Sequence, residues 1–112
     1  MSDPATVVQA QLDAYNAQNL DAFLACYADD VVVADFNGAE TSRGIVALRK
    51  RYGDLFASKP QNRARLVNRI AVGTVVIDHE EVTRGPGEAS FQVAAIYTVK
   101  NAKIVRVDFA KV

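Results

Sequence analysis

Asp35, His79 and Tyr97 are the polar side chains of this 112-residue sequence best placed to move protons. Asp35 ends the run Val31-Val32-Val33-Ala34, whose β-branched and apolar residues predict a short strand over 31–36. Side chains alternate along a strand, so Val31, Val33 and Asp35 share one face and Val32, Ala34 and Phe36 the other. A carboxylate extending a valine face either stands at a wet strand end or enters the interior. His79, the chain's one histidine, follows Val75 and Ile77 on a face that continues to Glu81 and Thr83. Its charge changes near neutral pH, which suits acid–base work. Tyr97 adds a phenol to the face formed by Phe91, Val93, Ala95 and Val99. In the last segment Val105, Val107 and Phe109 oppose Ile104, Arg106 and Asp108. Taking the more apolar face of each strand as inward gives an interior whose polar members are Asp35, His79 and Tyr97. A few polar groups on an apolar wall are the usual make-up of a small-molecule site.

The elements that must hold these residues divide the chain in two. Ser2 or Asp3 can cap a helix opening at Pro4, the first-turn position that proline favours. Val7, Val8, Gln11, Leu12, Tyr15 and Gln18 then recur at helical spacing, which carries it to about residue 17. Asn19 caps a short second helix over 20–28, with Phe23, Leu24 and Tyr27 inside. After the strand at 31–36, a loop through 37–44 leads to a third helix over 45–58, with Ile45, Leu48, Tyr52, Leu55 and Phe56 on one side. Strands follow over 63–73, 74–84, 89–99 and 104–112, turned by Gly85-Pro86-Gly87 and by a tight hairpin at Lys100-Asn101-Ala102-Lys103. Helices first and an antiparallel meander last predict an α+β domain over residues 1–112. The expected architecture is three helices packed on a curved, mostly antiparallel sheet of four or five strands, forming a cone with an interior pocket.

Composition excludes several functions. Thirteen basic residues balance thirteen acidic ones, so no net field draws the chain to nucleic acid or to an anionic membrane. No apolar run reaches the ~18 residues of a membrane span, and the N-terminus lacks the basic and apolar regions of a secretory signal. A single cysteine, Cys26, excludes an internal disulfide and reads as a buried, inert thiol. Asp78-His79-Glu80-Glu81 offers metal-capable atoms, but alternation sends Asp78 and Glu80 away from His79 and Glu81, so no metal is expected. Arg63, Arg65 and Arg69 alternate along their strand as a solvated face. A cytoplasmic protein without a cofactor is the expectation.

The order of elements, the turn Tyr27-Ala28-Asp29-Asp30 and the hairpin around Ala95-Ile96-Tyr97-Thr98-Val99 resemble a known family. The chain looks like a nuclear-transport-factor-two-like domain of the ketosteroid isomerase and SnoaL polyketide-cyclase type, over nearly its whole length. That resemblance implies a deep apolar pocket and dimerisation through the outer sheet face. It also implies that the family's general base, an aspartate eight residues after the tyrosine of the turn, is Asp35. Burial against apolar walls would raise such a carboxylate's pKa and make it a better base. The family's oxyanion donors do not carry over: the tyrosine position falls on Gln11, one turn before Tyr15, and the aspartic-acid position falls near Ala95. Two functions follow as expectations. One is cofactor-independent acid–base catalysis on a small apolar carbonyl compound, with Asp35 and His79 catalytic and Gln11, Tyr15, Tyr97 and Phe109 against the substrate. The other is a non-catalytic module that binds a hydrophobic ligand or dimerises, Ile96 and Ile104 lying on the outer face.

Overall fold

The computed structural model describes residues 3–111. Asp3 caps α1 (Pro4–Asn16), its carboxylate accepting the Thr6 N–H at 2.9 Å. Asn19 caps α2 (Leu20–Leu24) in the same way through the Ala22 N–H, at 3.1 Å. These side chains take amide protons that the first helical turn leaves without partners. The second helix is shorter than its sequence predicts. It stops at Leu24, and the chain is extended from Tyr27, so β1 (Tyr27–Asp35) takes in Tyr27 and Ala28, expected in the second helix, and Asp29-Asp30, expected as a connection. The expected loop after it contains a further strand, β2 (Glu40–Arg43). Four polar residues carry no hydrophobic alternation, and backbone pairing with β1 is what makes them a strand. Gly44, at a φ of 88° that glycine tolerates, then turns the chain into α3 (Ile45–Ser58).

The remaining strands are β3 (Arg63–Val72), β4 (Val75–Thr83), β5 (Phe91–Lys100) and β6 (Lys103–Lys111). They form one curved, unclosed sheet of six strands in the order β2-β1-β6-β5-β4-β3. All pairs are antiparallel except β1 with β6, so the end of the meander returns beside the strand that follows the helices. The helices cover one face. Val8, Phe23, Val31, Val33, Leu48, Val76, Ala95, Tyr97, Ile104 and Val107 join there in the main core. Phe23 is its centre, with ring centroids 4.7 Å from Tyr52 and 5.0 Å from Tyr27. No helix among the described residues is long and apolar enough to cross a membrane.

Two irregularities change which side chains face inward, and on β4 the inner row is not the more apolar one. Val67 is the extra residue where Leu66 pairs with Glu80 and Asn68 with His79. One extra residue reverses the alternation beyond it. Arg69 therefore leaves the solvated row of Arg63 and Arg65 and lies opposite Asp78 on the inner face. Val105 is skipped where Val99 pairs with Ile104, which turns Ile104 into the core and off the outer face expected for it. On β4 the buried row is Val76, Asp78, Glu80 and Val82; the row ending in His79 is the outer one.

Candidate functional site

Helices and sheet leave a cavity of about 300 Å³, the lower end of the range for small-molecule sites. Tyr15 and Leu12 of α1, Tyr52 of α3, Val82 of β4, Val93 and Tyr97 of β5, and Phe109 of β6 stand on its wall. Four of the residues singled out from the sequence meet here: Gln11, Tyr15, Tyr97 and Phe109.

A directed chain of hydrogen bonds runs across the α1 side. The buried Tyr27 phenol donates to Gln11 Oε1 at 3.0 Å, and Gln11 Nε2 donates to the Tyr97 phenol oxygen at 3.1 Å. Tyr97 thus receives one hydrogen bond and keeps its own proton for an acceptor in the cavity. Burial holds the Tyr97 and Tyr27 phenols well above their ordinary pKa, with nearby acids and phenols adding to it, so both remain O–H donors. Gln11, placed by helical spacing on the inner side of α1, orients the donor.

The buried carboxylate on the wall is Glu80, a residue that sequence reading assigned to the outer face. It is 6% exposed, and its Oε2 has no hydrogen-bond partner among the described residues. Loss of hydration raises its pKa from 4.5 to about 7, helped by the negative charge of Asp78 and opposed by Arg69. Asp78, fully buried two residues earlier, is held by Arg69 through two bonds of 2.7 and 2.9 Å. Arg69 also donates to Gln9 of α1 at 2.9 Å, which ties the first helix to the sheet. One carboxylate of the inner row is therefore neutralised by arginine. The other is left to take up and release a proton near neutral pH.

Asp35 and His79 stand elsewhere. Asp35 does share the Val31/Val33 face, but at the strand's wet end: it is exposed and outside the cavity wall. Its backbone serves the next turn, accepting from Gly38 and donating to Ala39, both at 2.9 Å. It borders a separate surface depression with Phe36, Phe109, Ala110 and Lys111. His79 corrects the inward assignment made from apolar neighbours. It is exposed on the outer sheet face, with Nε2 2.6 Å from Gln92 Oε1. The rule that the more apolar face turns inward fails on β4 because the inner row spends two positions on acids, one paired and one protonatable. Arg84, just past β4, also lines the cavity. No sequence spacing marks it; a lone arginine before a Gly-Pro-Gly turn reads as a loop charge.

Residues 8–107 match the SnoaL-like domain family. An uncharacterised cystatin-fold protein from Novosphingobium aromaticivorans superposes with a TM-score of 0.92 at 32% identity, over 99% of this chain and 100% of its own. A provisionally assigned polyketide cyclase from Sinorhizobium meliloti gives 0.79 at 24% identity, covering 93% of each chain. A protein with a ketosteroid isomerase-like fold from Catenulispora acidiphila, solved with trimethylamine, gives 0.78 at 16%, over 97% of this chain and 86% of its own. The last two likenesses are of fold. No curated protein matches the sequence.

Proposed function

The chain belongs to the SnoaL-like domain family, and on that premise we propose that its cavity is a site of acid–base catalysis on a small, apolar, carbonyl-bearing molecule. The observation that carries this reading is Glu80, a buried carboxyl on the cavity wall whose Oε2 has no hydrogen-bond partner among the described residues. A pKa near 7 gives it both protonation states at neutral pH, the condition under which a general base is most effective. Ionised Glu80 takes a proton from the carbon next to the carbonyl; the C–H electron pair forms the carbon–carbon double bond as the carbonyl π pair moves to the oxygen. The Tyr97 O–H, oriented through Gln11 and Tyr27, donates to the enolate oxygen as charge develops there. The Glu80 acid then returns the proton to the same carbon or to a conjugated one, which yields an isomer. An aldol-type ring closure or a loss of water passes through the same enolate.

Asp35, the base position implied by the ketosteroid isomerase resemblance, is the competing assignment. Its support is its pairing with Phe109, which borders both the cavity and the depression beside Asp35. A panel of β,γ-unsaturated cyclic ketones, followed by the absorbance of the conjugated product, separates the two. Glu80→Gln is expected to lower turnover ~10²–10⁴-fold, and Tyr97→Phe to lower it less, while Asp35→Asn leaves it unchanged. Loss of turnover in Asp35→Asn alone overturns the assignment. Tight binding of a ketone with no turnover in any variant returns the chain to the ligand-binding module.

In the same reading the helices and curved sheet form a cone around the ligand, and two chains associate through their outer sheet faces. Ile70 pairs with Ile77 and Ile77 with Ile96, a row of three isoleucines across that face. Ile70 and Val72 are 52% and 69% exposed, apolar area that a second copy would cover.

A further inference from the structure

The arginines of this chain divide by what they hold. Arg43, Arg49, Arg65, Arg69 and Arg106 each engage a carboxylate. Arg84 engages none among the described residues, although it is part-buried on the cavity wall. It is nevertheless fixed in place. One guanidinium nitrogen, Nη1, donates to Asn62 Oδ1 at 2.9 Å and to the Tyr15 phenol oxygen at 3.1 Å. The guanidinium carbon lies 5.1 Å from the centroid of the Phe91 ring, close enough for cation–π attraction. Both anchors are neutral, and no carboxylate among the described residues pairs with the guanidinium whose plane they set.

What remains free is the edge formed by the Nε–H and the Nη2–H groups, for which no protein acceptor exists among the described residues. That edge presents two parallel donors, the geometry that a carboxylate takes up with both oxygens. Tyr15 extends it. Its oxygen is occupied by Arg84, and its own proton, which meets no acceptor among the described residues, adds a third donor at the same wall. Arg51 lines the cavity too, and its one recorded hydrogen bond goes to the neutral Thr41 hydroxyl. Asp54, which shares the wall with Glu80, is held by Lys50 at 3.2 Å.

We propose that Arg84 and Tyr15 form a carboxylate-binding subsite, so that the ligand of this cavity is an apolar acid whose carboxylate docks on Arg84 while its body extends along the apolar wall. This deepens the catalytic reading and rests on the same cavity, but it is measured by binding and needs no turnover.

The test uses a matched pair of probes, 3-phenylpropanoate and 3-phenylpropanamide, titrated calorimetrically into the whole chain at pH 6. There Glu80 holds its proton and the probe acid is ionised. The carboxylate is expected to bind at least about tenfold more tightly than the amide, with the preference shrinking as salt is added. Arg84→Gln is expected to bring the two within about threefold, and Arg84→Lys to keep part of the preference; circular dichroism of each variant checks that it is folded. Equal or tighter binding of the amide by the natural chain overturns the proposal, as does an unchanged preference in folded Arg84→Gln. Failure to bind the carboxylate at millimolar concentration overturns it too. These results are distinct from failure of the catalytic reading, which shows as ketone turnover indifferent to Glu80→Gln.

Discussion

Replacing Glu80 by glutamine should make the protein more stable, but only where the glutamate is ionised. The carboxyl is 6% exposed, and no partner among the described residues reaches its Oε2. Its pKa rises from 4.5, the value expected in an unfolded chain, to about 7 in the fold. Below pH 4.5 the group is protonated in both states and costs nothing. As pH rises through this interval the unfolded chain releases the proton first, and folding stability falls until the folded state has released it as well. The interval of about 2.5 pH units, at about 1.36 kcal/mol each, amounts to a loss of a little over ~3 kcal/mol by pH 9. For a domain of this size that is roughly 12 °C in Tm, at about 4 °C per kcal/mol. Glutamine has nearly the same shape and no charge to lose. Other carboxylates titrate over the same range, so the informative quantity is the difference between the two proteins. Thermal or urea unfolding at pH 4.5, 6, 7.5 and 9 should give Glu80→Gln a stability close to that of the natural chain at the lowest pH and an advantage of about 3 kcal/mol at the highest. An offset that stays constant with pH would refute the reasoning, because it would mean that the carboxyl has the same pKa folded and unfolded.

Arg69→Ala removes the partner of a fully buried Asp78 and is expected to cost about 3–5 kcal/mol. The double change Arg69→Met with Asp78→Leu recovers most of that; a single substitution within 1 kcal/mol of the natural chain would show the pair to be dispensable. The outer sheet face gives the other expectation. Light scattering at micromolar concentration should report a dimer, and Ile77→Asp a monomer that keeps its helical circular dichroism; a monomeric natural chain sinks the association.

How far the sequence discloses this molecule depends on the contrast between the two faces of each strand. On β5 every inward position is apolar or aromatic, from Phe91 through Val99, so alternation alone finds the wall that carries Tyr97. Gln11 and Tyr15 follow from helical spacing in the same way. On β4 the contrast vanishes, because Val75 and Ile77 lead the outer row while Asp78 and Glu80 interrupt the inner one. The acids there are tolerated for reasons that lie off the strand. Asp78 is neutralised by an arginine that reaches it only because Val67 is an extra residue in β3, and Glu80 avoids the cost of a buried charge by holding a proton. Neither condition leaves a local signature. Asp35 shows the reverse case: its parity is read correctly, and its burial is not, since parity fixes a face but not how far along that face the cavity extends.

The same physics links the two halves of the site. Glu80 owes its raised pKa to burial and to the charge of Asp78, and Arg69, whose two bonds go to Asp78, offsets that only in part. An arginine brought as close as Arg69 is to Asp78 would fix Glu80 as a carboxylate and end its use in proton exchange. In the proposed reading, cationic recognition stands apart from the base, beyond β4 at Arg84, where Asn62 and Tyr15 hold the guanidinium by neutral contacts. The separation predicts the order of groups along the ligand. A carboxylate lies at one end, the carbon that loses its proton lies further along the body beside Glu80, and apolar surface spans the distance between them. A ligand with the carboxylate directly on the reacting carbon cannot satisfy both ends, and is expected to bind without reacting.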